Sequence, residues 1–360
     1  MEQYHNLLKK VIGKGDVQFE PRTQEYILGV SSALSNYDLR EGFPLVTTKN
    51  VPPRFPFEEV LWKLRGEKNI RPLVERDIHI WNANAFDRHL KKQGLKDKIQ
   101  KHSLEWNDEF AKYQYRIKNN SEFASEAGDL GPVYGYQWRH GFHKSDGEEI
   151  DQLKNVISEI KNNPGSRYHI LNAWNPSDIS EMALGPCPFW HQFTVYGNSL
   201  DLTMVQRSCD VFLGVPFNIA QDAFLANLVA QETGLDPRFY NHSIVNVHAY
   251  LGVPPRADFW TNPENITTFQ KRFNSISERE DYMDLRNNYL TKAGPEKEGS
   301  ERKDHIPFIL EQLSKEPKSL PQIQLSSGEF FEMIKKPAKE IATITGYNPH
   351  KWDSRAEMAV

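Results

Sequence analysis

The chain has 360 residues, 38% of them hydrophobic and 26% charged, with a formal net charge of -4 at pH 7. That balance suits a globular protein with a sizeable core, and the acidic sign argues against a dedicated nucleic-acid binder, which carries a basic stripe. No apolar run reaches membrane-spanning length, and the opening Met1-Glu2-Gln3-Tyr4-His5 lacks the apolar core of a signal peptide. The two cysteines form no disulfide framework and have no metal-type spacing, so the expected setting is reducing and cytoplasmic, with no metal.

Leu7 to Gly13 reads as a short helix stopped by Gly13. The run from Tyr37 to Leu45 reads as a strand end and turn. Val60, Leu61 and Leu64, with Trp62, predict a helix from Phe57 closed by Gly66. Residues 87–127 are charge-rich with scattered aromatics, which predicts a helical insertion with a solvated face. Phe193 and Val195, the pair Gly197-Asn198, then Leu200, Leu202 and Met204 predict two strands joined by a tight turn. Apolar residues over 218–233 predict a helix ending at Gly234. Val245, Val247, Ala249 and Leu251 alternate with Asn246, His248 and Tyr250, which predicts a strand with one polar face. Residues 292–304 have linker composition, and the stretch from Gly252 to it reads as a second insertion. No internal repeat is present, and strands and helices mix without a βαβ rhythm, so α+β is the expected class.

Three segments concentrate the chemistry: Leu184-Gly185-Pro186-Cys187, the run Gln206 to Ala220, and Val247-His248-Ala249-Tyr250. They supply a thiol, a guanidinium, a carboxylate, an amide, an imidazole and a phenol. A lone intracellular cysteine is usually a small buried hydrophobe. To act as a nucleophile it needs a nearby positive charge, which Arg207 would provide, and an electrophilic carbon. Asn218 reads either as a helix N-cap or as an amide offering both a donor and an acceptor to a ligand. His248 reads as a satisfied core histidine or a ligand contact, and Glu59, on the residues alone, as a solvated helix charge.

Five further segments decide between these readings. Arg40 to Lys49, Ile80 to Asn84, Asp129 to Arg139, Asn172 to Pro176, and Gly346-Tyr347-Asn348-Pro349-His350 running to Ala359-Val360 resemble, in order, segments of the thymidylate synthase family. The resemblance covers the chain except near 87–127 and 252–304. It implies a single domain over 1–360 with a central mixed sheet, surrounding helices and two insertions. It also implies a homodimer with shared active sites. The substrates it implies are a pyrimidine nucleotide monophosphate and methylene-tetrahydrofolate, the donor of one carbon and a hydride.

By the same resemblance Cys187 is the nucleophile adding to carbon 6 of uracil, and Glu59 manages protons through water. Tyr134, Arg207 and Asp210 complete the catalytic set. Arg22, Arg207, Ser208 and a partner's Arg167 hold the phosphate. Asn218 reads the base, while His248 and Tyr250 meet the sugar 3′-hydroxyl. Ile80, Trp81, Leu184, Asp210, Gly214, Phe217 and Ala359 face the folate.

The pattern breaks in three places. Tyr168 follows Arg167 where the family has a second arginine, Pro188 follows the cysteine where it often has histidine, and the loop Arg22 to Tyr26 lacks the usual glycines. These departures leave a pyrimidine nucleotide hydroxymethylase as the alternative, in which water captures the exocyclic methylene. Trp81 and the Ala359-Val360 tail favour a closed, dry site and reduction. A non-catalytic nucleotide-binding or RNA-binding relative is disfavoured by Cys187, Glu59, Asn218 and Asp210 standing together.

Overall fold

A computed structural model describes residues 1–101, 103–298, 302–352 and 356. Helix α1 (Glu2–Lys14) leads into strands β1 (Asp16–Glu20) and β2 (Glu25–Asp38), then α2 (Arg54–Leu64). Helices α3 (Asn82–Lys92), α4 (Leu104–Asn119), α5 (Ser121–Ala127) and α6 (Tyr134–Arg139) follow. Next come β3 (Ile170–Asn172), β4 (Pro188–Tyr196), β5 (Ser199–Gln206) and β6 (Cys209–Asp210). Helix α7 (Gly214–Thr233) and strand β7 (Asp236–Tyr250) complete the centre. Helices α8 (Pro263–Asn274), α9 (Asp281–Ala293) and α10 (Ile306–Leu313) lie beyond it.

Among the described residues the central sheet has seven strands, in the order β1-β2-β7-β5-β4-β3, with β6 paired to β7. β7 runs antiparallel to β2 and parallel to β5 and β6, so the sheet is mixed, as expected for the α+β class. Gly197, at φ 59°, supplies the left-handed residue of the two-residue loop that joins β4 to β5. The turn pairs Tyr196 with Ser199, and that register carries Cys187 and Arg207 to the same end of the sheet.

Several boundaries differ from the sequence reading. Helix α1 runs through Gly13 to Lys14, with the Gly13 carbonyl accepting from the Asn274 amide at 3.0 Å. Helix α7 starts at Gly214, four positions before Asn218, so Asn218 is not an N-cap. Its stop is Gly234, at φ 70°, as the pattern predicts. In β7, Asn246 takes φ 49° and breaks the alternation, so Val245 is 48% exposed while Val247 and Ala249 are buried. The stretch after Gly252 is largely helical. Its Asp304, within the expected linker, is buried against the Tyr289 hydroxyl at 2.8 Å.

The first insertion is helical but more than a solvated face. Trp106, Tyr113, Ile117 and Ala124 turn inward and build a second apolar cluster with Trp62, Trp81 and Tyr134. The larger cluster lies between the sheet, α1, α7 and the C-terminal helices. Helix α2 serves both, sending Leu61 and Leu64 into the larger core and Trp62 into the smaller. Glu59 and Lys63 lie on the same helix, one turn apart.

Helix α6 crosses α2 so closely that a Cβ on Gly135 would overlap the Lys63 carbonyl. Gly135→Ala is therefore expected to cost about 2–3 kcal/mol through overpacking against backbone. Gly197→Ala, where nothing lies within 4 Å, should cost only about 1–2 kcal/mol from its left-handed φ. Urea midpoints of the two variants check the order, with Gly135→Ala the lower.

Candidate active site

Cys187 stands immediately before β4, half-buried, at the rim of a cavity of about 220 Å³. Its backbone N–H donates to the Tyr134 hydroxyl at 3.0 Å. Tyr134 opens α6 with φ 28°, a strained value for a side chain of this size, of the kind that recurs at functional sites. Arg207 follows β5, and its backbone N–H donates to the Cys187 carbonyl at 2.9 Å. Its guanidinium donates from Nε to the Pro186 carbonyl at 3.0 Å and from Nη2 to the Gly185 carbonyl at 2.8 Å. A permanent cation is thus clamped behind the loop that presents the thiol.

Glu59, from α2, enters the cavity from the opposite wall and is 8% exposed. Its Oε1 accepts from the Trp81 indole at 3.1 Å and lies 3.2 Å from Lys63 Nζ, and its Oε2 accepts from the Gln221 amide. Asn218 projects from the first turn of α7. Its Oδ1 accepts from Gln206 Nε2 at 3.1 Å and from the Cys209 thiol at 3.3 Å. Gln206 in turn meets His242 Nε2 at 2.8 Å through Oε1. Burial pushes the Cys209 thiol well above its ordinary range, so it stays protonated and donates.

His248 contacts the Asn246 carbonyl through Nδ1 at 3.1 Å, and a carbonyl only accepts, so the proton is on Nδ1. Burial lowers the imidazole pKa, which leaves Nε2 as a bare acceptor. Asp210 accepts the N–H groups of Phe212 at 2.9 Å and Leu213 at 3.0 Å, and faces His305 Nδ1 at 3.3 Å. Burial by itself would raise its carboxyl. His305 and the Phe212 N–H outweigh that and leave the pKa below 3.8.

One cavity therefore gathers Cys187, Glu59, Tyr134, Asp210, Arg22, Ser208, Asn218, His248, Tyr250, Leu184 and Gly214. Polar groups converging on one concave site are what orient a small ligand. A family model for thymidylate synthase matches residues 2–360. The chain belongs to the thymidylate synthase family. Curated relatives named thymidylate synthase include one from Mesoplasma florum, 42% identical over 253 residues, covering 70% of this chain and 82% of that protein. Others, from Listeria monocytogenes and Listeria innocua, are each 41% identical over 261 residues, covering 69% of this chain and 82% of theirs.

The chain is accordingly a one-carbon transferase that forms dTMP, with methylene-tetrahydrofolate as co-substrate. The hydroxymethylase alternative is not favoured by relatives that carry the synthase name. Among the described residues, no group of His, Cys, Asp and Glu is arranged to hold a metal, and no helix is long and apolar enough to cross a membrane.

Some expected members of the site stand elsewhere. Arg167 is exposed and does not reach the cavity of its own chain, its carbonyl accepting from Gln192 at 3.1 Å. Arg207 sits behind the wall rather than in it. Ile80, Trp81 and Phe217 are not on the cavity surface either. Trp81 is buried with its indole N–H spent on Glu59. Ala359 lies outside the described residues. Five lining residues were not among the expected site residues: Lys63, Asn84, Pro188, Gln206 and Cys209. Lys63 had a signal, since a residue four positions after Glu59 shares its helix face, and Gln206 continues the alternation of β5.

Asp210→Asn should remove the charge from two N–H caps and cost about 1–3 kcal/mol at neutral pH. Because the folded pKa is lowered, that stabilisation is complete above the ordinary carboxylate range and is lost as pH falls through the folded value. The urea-midpoint gap between parent and variant should be widest near neutral pH and narrow as pH falls below the ordinary carboxylate range.

Proposed function

We propose that the cavity is the dUMP and folate site and that Cys187 is its nucleophile. The convergence of Cys187, Glu59, Asn218 and His248 on one cavity, with Arg207 clamped behind the thiol, carries this reading. The thiolate adds to carbon 6 of uracil, and the electron pair moves to carbon 5, which then attacks the one-carbon unit. The co-substrate supplies the methylene and the hydride and leaves as dihydrofolate. Loss of the carbon 5 proton and departure of the thiolate restore the ring double bond. Glu59, held by neighbours on both oxygens, accepts and returns protons through water. Arg207 braces the loop that presents the thiol, and Tyr134 fixes the backbone of Cys187.

Asn218 reads the base. With Oδ1 taking two donors, its amide N–H group is left to donate to O4 of uracil. The thiol bond from Cys209 is the weak one, and it yields to the N3–H of the ring. Nε2 of His248 accepts the sugar 3′-hydroxyl beside Tyr250. Arg22, Ser208 and the remaining Arg207 donors hold the phosphate. Leu184, Asp210 and Gly214 form the folate side of the cavity, and Ile80, Trp81 and Phe217 back it. The chain acts as one domain, as a homodimer in which a partner's Arg167 completes the phosphate site. Its exposed position and its distance from its own cavity support that role. Two free cysteines support a reducing, cytoplasmic setting.

Cys187→Ala should abolish dihydrofolate formation, read by absorbance, while dUMP still binds. Cys209→Ala should lose far less. Mixing Cys187→Ala with Arg167→Ala chains should restore activity through hybrid dimers. Folded mixtures that stay inactive would count against the shared site.

Asn218→Asp should turn preference from dUMP towards dCMP, because a carboxylate accepts from the cytosine amino group but donates nothing to O4. A polar mismatch of about 1–3 kcal/mol predicts a change of about ten-fold or more in relative affinity, measured by titration with each nucleotide. An unchanged ratio would show that the base is read elsewhere.

A further inference from the structure

We propose that Lys63 is a positioning residue for the reaction, its buried ammonium holding Glu59 ionised and aimed into the cavity. The inference rests on the reading of Glu59 as the proton-handling carboxylate.

Lys63 follows Glu59 by one turn of α2 and is 5% exposed. A lysine is rarely buried, since its charge must find compensation inside the protein. Here compensation comes from three sides. Nζ lies 3.2 Å from Glu59 Oε1, donates to Gln221 Oε1 at 3.1 Å, and stands 4.7 Å from the centre of the Tyr134 ring. These are an anion, a carbonyl-type oxygen and the negative face of an aromatic ring, each suited to a cation. Gln221 closes the triangle by donating to Glu59 Oε2, so its amide is fixed in one orientation by the lysine on one side and the carboxylate on the other.

Without Lys63 the carboxylate would keep two neutral donors, Trp81 and Gln221, but no adjacent cation. Burial would then favour the protonated form. Other titratable groups stand further round the cavity. Tyr134 faces the pair from α6, and burial keeps it a phenol. Cys187 and Arg207 face it from the sheet, the latter committed to the Gly185 and Pro186 carbonyls. Arg22, Asp210, His248 and Tyr250 line the far side, with Asp210 already engaged by His305. None of these is shown hydrogen-bonded to a Glu59 oxygen. Lys63 therefore supplies the charge that lets Glu59 begin each cycle as an acceptor.

The test is the pH profile of kcat/KM. Removing the cation raises the pH at which Glu59 takes a proton, so the acid limb in Lys63→Met should move up by about one pH unit or more. Activity near neutrality should fall about ten-fold and recover as pH rises. Lys63→Arg, which keeps the charge, should keep the parent limb. In a Glu59→Gln background the lysine has nothing to hold, and Lys63→Met should change the residual kcat/KM by no more than about two-fold. Lys63→Gln gives the same comparison if the apolar variant fails to fold. An acid limb that coincides with the parent's, or an equal loss in both backgrounds, overturns the inference and leaves the role of Glu59 standing. Full activity in Glu59→Gln alone would instead overturn the reading of Glu59, and this inference with it.

Discussion

Helix α7 is buried around nearly its whole circumference, and the arrangement of the site follows from that. Such a helix can carry polar side chains only where neighbouring elements satisfy them, because an unpaired buried polar group costs more than its hydrogen bond would return. Asn218 is met by Gln206 and Cys209, and Gln221 by Glu59 and Lys63. Asp222 is met by His191 at 2.9 Å and the Tyr240 hydroxyl at 3.3 Å. Three polar residues on one helix thus fix side chains on α2, β4, β5, β6 and β7. Asn218 and Glu59 are both placed by the same helix.

The thiol depends on a second constraint, the β4–β5 register. Gly197 sets the turn, the turn sets which residues face one another, and the register ends with Arg207 against the Cys187 loop. The guanidinium spends two donors on carbonyls rather than on a carboxylate. Its charge is therefore not cancelled by a counterion in the loop it braces.

Much of this was legible in the sequence, for identifiable reasons. The Gly197-Asn198 turn and the Gly234 stop have backbone signatures that depend on one or two residues. Cys187, Asn218 and His248 sit in dense motifs that a family resemblance could align. The start of α7 was not legible, because Leu213 caps it without a side-chain hydrogen bond and the Val215-Pro216-Phe217 run has no helical polarity. The kink at Asn246 depends on tertiary context and leaves no local mark. Residues 87–127 read as solvated because their charges are numerous, while the few aromatics that form a core are spread over two helices. Trp81 was expected to face the folate, and its indole N–H also meets Glu59, a contact between residues 22 positions apart that no local pattern encodes.

The cavity lies where two separately packed apolar clusters meet, with α2 contributing to both. Tyr134 and Leu184 stand with the smaller cluster, and Asp210, Asn218 and His248 with elements of the larger. Each core resists compression internally, as close-packed interiors do, and the seam between them is crossed by α2 and α6, which bury Leu61 and Trp138 in the larger cluster and Trp62 and Tyr134 in the smaller. A displacement of one core against the other would have to carry both helices with it, so the width of the cleft is held by packing on both sides as well as by the hydrogen bonds around Glu59.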